Sequence, residues 1–434
     1  MPRSSQSSRR GLRGRGFPSR GGYNNDWRVY RQEQAPPVYI LDGLVEEAVQ
    51  SISDPSTANV GDIEAKDVQY LASYTWTDAK QPTMIVPGSP RVWRNRPLPY
   101  TVPPDTGVTY AYSNSVKIPS SPLLPLFRAI DHIESSESSS TKLDWSSVDF
   151  ITDRNNLRKL LSWIEHKEKG GRIDEFRIDL QLCGVGTVLM QRWEPHAVYD
   201  ARNSGYGDSF EKESTSPGPD CEKGIITGHS RIISYVIHGM KIVVRCEVDA
   251  CIDLEKDEDS QSLSIETRGS NNTSPPKAVS ADDLADALSS LSVTSSSTPQ
   301  DVKIVDGGAV VPQSSLVKIK TRSMRNVETF DWSAAYLQLF LGQTYNLYLG
   351  VHQRGTFNEV REVNLETPEF QEAAKDMQPV LKKLGRLLDE ILYIAIEYGH
   401  KGRLSVVCRA GQLKVYERKD EASFLPKDVL ARFE

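Results

Sequence analysis

Apolar residues recur along this chain at two periods, one near two residues and one near three and a half, and the switches between them mark its elements. VQYLASYTW (68–76) and QPTMIVPGSP (81–90) read as strands closed by Pro and Gly, and SSPLLPLFRAI (120–130) as a short helix. In DRNNLRKLLSWIEH, Leu157, Leu160, Leu161 and Ile164 keep a helical stripe, with Asp153 placed as its N-cap. A run of strands follows: EFRIDLQLCGVG, TVLMQRWEP, SRIISYVIHG, KIVVRCEVDACI and SLVKIKTRS, with His238-Gly239 as a hairpin turn. WSAAYLQLFLG then predicts a helix, and YNLYLGVHQRG with NEVREVNL a strand pair. Thr367, Pro368 and Glu369 start a helix whose stripe, from Phe370 through Met377, Leu381, Leu384, Leu388 and Ile391 to Ala395, runs up to Gly399. LSVVCRAGQLKVYER closes as a hairpin. The pattern predicts an α/β (α+β) fold, a mixed sheet with flanking helices.

Composition divides the chain. Only 38% of its residues are hydrophobic, low for a globular protein, so part of it is expected outside any core. Residues 1–25 set Arg3, Arg9, Arg10, Arg13, Arg15 and Arg20 among Gly and Ser, which predicts a disordered tail that is either simply solvated or able to contact RNA. From 254 to 300 an acidic run gives way to twelve serines between Ser260 and Ser297, and no Phe, Trp or Tyr occurs between Tyr235 and Phe330; this predicts a disordered insertion. One domain is therefore expected over 36–253 and 301–434. The insertion carries Asp282, Asp283 and Asp286, a DDxxD pattern of the prenyl synthase type, but without a second acidic motif or long facing helices it does not support prenyl transfer.

With 52 Lys+Arg against 58 Asp+Glu the chain is not basic throughout, so contact with nucleic acid would need a local patch. Five cysteines without zinc spacing suit a reduced compartment. No run reaches the roughly 18 apolar residues of a membrane span, and no secretory signal precedes the domain. A nuclear or cytoplasmic protein is expected.

The chemistry concentrates in CEVDACI. Alternation along a strand puts Glu247 and Asp249 on one face, where two carboxylates need a shared cation. Upstream, GDSFE supplies Glu211; downstream, LVKIKTRS puts Lys318 and Lys320 on one face of a strand. A Glu, an ExD and an (E/D)xK on successive elements make the PD-(D/E)xK nuclease arrangement, in which carboxylates hold magnesium and the lysine steadies hydroxide or phosphate. Basic residues Lys318, Lys320, Arg322 and Arg325, with Arg91, Arg94 and Arg96 around Trp93, offer an RNA groove or a solvated surface. LCGVGTV lacks the third glycine of a dinucleotide loop and reads as a hairpin turn.

In order along the chain, ITDRNNLRKLL, GDSFE, CEVD, KIKTRS, AYLQLFLG and LGVHQRGTFNEV resemble the motifs of the decapping exoribonucleases, over about residues 145–365. The chain also looks like fungal proteins labelled geranylgeranyl diphosphate synthetases, a label the DDxxD argument does not support. The resemblance implies a PD-(D/E)xK-type sheet and removal of incomplete or nicotinamide-type caps, or of pyrophosphate, from RNA 5′ ends, in some members with 5′–3′ trimming. It implies Glu211, Glu247 and Asp249 as ligands of Mg2+ or Mn2+, Lys320 as the lysine of ExK beside catalytic Glu247 and Asp249, and Arg154 and Gln338 on the RNA phosphates or the cleaved group; Arg322, from the basic cluster, is a further RNA-binding candidate. RNA and an exoribonuclease are the implied partners. Lys318 stands where the motif expects a carboxylate. A cation there weakens or abolishes metal binding, so a degenerate member that only binds RNA or protein is the alternative.

Overall fold

The strands that read as unbroken apolar runs owe that pattern to cover on both faces. Phe176–Cys183 is buried throughout, and in Met240–Val248 Ile242 and Val244 face one core while Val243 faces the other. The computed structural model describes residues 38–110, 112–136, 142–196, 198–200, 205–218, 226–252, 301–399 and 403–434. They belong to a compact unit spanning Val38–Glu434. The expected tail (1–25) and the insertion with its DDxxD lie outside the described residues.

Two large mixed sheets carry the fold. The first has eleven strands in the order Leu44–Ile52, Gln412–Arg418, Arg403–Arg409, Phe176–Cys183, Thr187–Arg192, Phe150–Asp153, Met240–Val248, Ile226–Ile237, Lys66–Thr77, Thr83–Gly88 and Lys303–Gly308. At its centre Phe150–Asp153 runs parallel to both neighbours. The helices Arg154–Lys169, Trp332–Gly342 and Gln378–Tyr398 cover one face of this sheet, and Leu124–Ser136 with the C-terminal residues covers the other. The second sheet, of seven strands, is built around Leu316–Ser323, Asn346–Gln353 and Thr356–Asn364. These agree with the α+β expectation. Among the described residues no helix is long and apolar enough to cross a membrane.

Three local expectations change. KIVVRCEVDACI does not run as one strand: Met240–Val248 belongs to the first sheet, Ala250–Cys251 to the second, and Asp249 is the residue between them. The last helix is two helices, Pro368–Asp376 and Gln378–Tyr398, meeting at Met377. Pro379 lies in the first turn of the second helix, where its missing N–H costs nothing. The strand Leu44–Ile52 was not expected. Its sequence, LVEEAVQSI, forms an edge with two register shifts, so polar residues break the alternation.

Asp153 occupies the N-cap position of Arg154–Lys169, but its side chain makes no cap bond. Parallel register sets it beside Arg245, whose Nε and Nη2 donate to its two carboxylate oxygens at 2.7 and 3.1 Å. Tyr112 Oη donates to the same carboxylate at 2.6 Å and also accepts from Arg245 Nη2. Arg245 Nη1 reaches the Tyr74 hydroxyl at 3.2 Å and the Pro122 carbonyl at 3.0 Å. The pair, with Arg245 only 2% exposed, ties three strands to the segment entering Leu124–Ser136. Removing one partner of such a buried pair strands a charge. Asp153→Ala is therefore expected to lower unfolding free energy by about 3–5 kcal/mol in urea titrations; a loss under about 1 kcal/mol, the size of a surface pair, would contradict this.

Candidate functional site

Where the parallel strands Phe150–Asp153 and Met240–Val248 end at their carboxyl termini, a cavity of about 250 Å³ opens. That edge is where open α/β sheets receive ligands, because the following helix starts there. Arg154 and Arg158 enter the cavity from successive turns of Arg154–Lys169, Gln338 from Trp332–Gly342, Glu247 from Met240–Val248, and Lys318 from Leu316–Ser323.

The cations here are unequally compensated. Arg245 is neutralised by Asp153, and Arg192, also in the wall, donates to Glu194 at 2.7 Å. Arg154, only 8% exposed, has no carboxylate within ion-pair distance among the described residues, nor do Arg158 and Lys320. Arg158 is close enough to Arg154 and Arg192 for the three to repel. Lys320 is pushed down to about 8, first by burial and then by the neighbouring charges of Lys318 and Arg158. Gln338 is 6% exposed, and among the described residues its amide makes no hydrogen bond. A buried primary amide and a buried guanidinium, both without partners and both facing the same space, are groups that await a ligand.

Among the described residues the carboxylates expected to hold a metal do not come together as one ligand group. Glu247 is exposed at the cavity. Asp249, between the two sheets, accepts from Lys318 Nζ at 2.6 Å on one oxygen and from the Ile319 amide at 2.8 Å on the other. Glu211 lies on the helix Gly207–Ser214, held by Phe210, which stacks on Phe357 with centroids 4.1 Å apart. Gly350 makes that possible, since a Cβ there would sit 2.6 Å from the Phe210 ring. Burial, and then the nearby Asp249 charge, push Glu211 up to about 8, against the pull of Lys318. Among the described residues no three His, Cys, Asp or Glu side chains form a group able to hold a metal ion. The residues present do not fit a divalent ion: both Asp249 oxygens are engaged, and one of them already holds the Lys318 ammonium.

The basic surface around Trp93 is largely committed elsewhere. Arg96 pairs with Glu213 at 2.7 Å and covers the Tyr100 ring, Arg91 donates to Thr215, and Trp93 packs edge-on against Tyr348. Arg322 follows Lys318 and Lys320 along one face of its strand, with its Nε buried and unpartnered. Sequence reasoning missed Arg158, Arg192 and the Asp153–Arg245 pair. The four-residue spacing of Arg154 and Arg158 was the available signal.

The fold is that of solved Rai1 structures. The Rai1 of S. pombe, solved in complex with 3′-FADP, is 12% identical with a TM-score of 0.52, covering 85% of this chain and 99% of its own. The Rai1 of Candida albicans, solved with pU5 and Mn2+, is 14% identical with a TM-score of 0.51, covering 89% and 99%. That of Scheffersomyces stipitis, with (3′-NADP)+ and calcium, is 14% identical with a TM-score of 0.52, covering 88% and 95%. By sequence, a family described as a domain of unknown function (DUF8563) matches residues 45–433, and the chain belongs to that family. No curated protein matches it.

The raised Glu211 pKa has a stability consequence. The unfolded chain releases this proton near 4.5 and the folded chain near 8, so its contribution is complete below about 4.5 and is lost as pH rises through 8. Denaturant titrations from pH 5 to 8 are expected to show wild type losing stability relative to Glu211→Gln. Parallel curves would mean that Glu211 is ionised in the fold.

Proposed function

We propose that the cleft binds a phosphate-bearing 5′ end of RNA and does not hydrolyse it. The observation that carries this reading is Arg154: nearly buried, without a countercharge, and turned with Gln338 into one cavity. An unpaired guanidinium is expensive to bury, and a phosphate that accepts from it recovers that cost in two parallel hydrogen bonds. Arg158 at the mouth adds charge that no carboxylate within ion-pair distance cancels among the described residues. The first turn of Arg154–Lys169, without a side-chain cap, adds a favourable field for an anion.

RNA is the proposed ligand because the Candida albicans Rai1 of similar architecture was captured with pU5; the S. pombe and Scheffersomyces stipitis structures hold 3′-FADP and (3′-NADP)+, which also carry phosphate. Hydrolysis is disfavoured because a metal-assisted route needs several oxygen ligands close together, and Glu211, Glu247 and Asp249 do not gather. Arg154 and Gln338 would hold the phosphate, while Lys320 and Arg322 would follow the chain along the second sheet.

The test uses a 5′-phosphorylated oligoribonucleotide labelled at its 3′ end. Anisotropy is expected to report binding that weakens as salt rises, and Arg154→Ala should weaken it by about 10- to 100-fold, the range of a charged hydrogen bond. Denaturing gels should show the RNA intact after incubation with magnesium or manganese. Equal binding by Arg154→Ala, or release of nucleotides or cap fragments, would refute the proposal.

A further inference from the structure

We infer that the ammonium of Lys318 is the resident cation of this site, held by Asp249 as a built-in substitute for a divalent ion, and that it contacts the ligand phosphate directly. This rests on the reading of the cleft as a phosphate site and adds to it the identity of the cation. Lys318 Nζ donates to Asp249 at 2.6 Å, and Glu211 stands near enough to both for their charges to act on it. The Lys318 and Asp249 side chains are 17% and 10% exposed, so water contributes little to their solvation. The Ile319 amide fixes the second Asp249 oxygen, so the carboxylate holds the ammonium in one orientation. An ammonium has three N–H groups. Among the described residues Asp249 is the acceptor of one, and Lys318 borders the cavity that also holds Arg154 and Gln338. The remaining donors are available to a phosphate oxygen.

A tethered ammonium differs from a bound ion in being insensitive to chelators. It also excludes the ion, because a divalent cation demands the same Asp249 oxygens and would meet a like charge on the strand. A neutral side chain at 318 frees Asp249, and a carboxylate there gives it an acidic companion on the neighbouring strand.

Calorimetric titration with Mn2+ in the absence of RNA tests this on the full chain. Wild type is expected to show no heat of binding up to millimolar ion, whereas Lys318→Glu should bind, with Lys318→Ala weaker than it. Thermal melts establish that each variant is folded. RNA binding by wild type should be unchanged by EDTA, and Lys318→Ala should weaken it about tenfold, as expected for one lost charge-assisted contact. Manganese binding by wild type as tight as by Lys318→Glu, or RNA binding abolished by EDTA, would overturn the inference. So would folded Lys318→Glu and Lys318→Ala that both take up no ion. If wild type binds no 5′-phosphorylated RNA, the cleft reading fails, while the manganese titrations still decide whether Lys318 excludes the ion.

Discussion

The ion pair between Lys318 and Asp249 decides the chemistry open to this protein. Its two members come from different elements: a strand of the second sheet, and the residue at which the chain passes from the first sheet to the second. Because that crossing residue is an aspartate, its carboxylate faces the neighbouring strand and takes both the ammonium and a backbone amide. The same crossing separates it from Glu247, which stays with the first sheet and stands in solvent. A short acidic motif that alternation would array on one face is thereby divided between two environments.

Behind the cleft, a second charged pair performs a structural task. Arg245 and Asp153 are adjacent in a parallel ladder, and the tyrosine hydroxyls and carbonyl around them satisfy the remaining donors. The geometry explains why Asp153 does not cap its helix: its oxygens are already used. A buried pair of this kind adds little net stability when complete, yet its geometry is enforced because a lone partner is so costly. The rigid floor it makes lets Arg154, the very next residue, stand in the cavity without a carboxylate of its own.

The contrast between these arginines separates scaffold from site. Arg245 and Arg192 are countered within the protein; Arg154 and Arg158 are not. Since all four border the same small volume, the charge left over is positive, although the chain as a whole carries a net charge of −6. Local arrangement, not composition, makes the cleft attractive to anions.

Much was legible in the linear order of residues. Apolar periodicity marked the helices from Leu124, Arg154 and Trp332, the central strands and the closing hairpin, because burial on one or both faces leaves a repeating trace in sequence. Arg154, Gln338, Lys318 and the acidic trio could all be picked out, and Lys318 could be seen as a cation in a carboxylate's position. Several outcomes depended on neighbours far along the chain, 69 residues for Lys318 and Asp249 and 92 for Arg245 and Asp153, or on the other side of a sheet. These were the break at Asp249, the irregular edge strand Leu44–Ile52, the capture of Asp153 by Arg245, and the engagement of both Asp249 oxygens. Periodicity reports which side of an element is dry. Which charge meets which is decided by register and by the packing of one sheet on another, and only the folded chain brings those together.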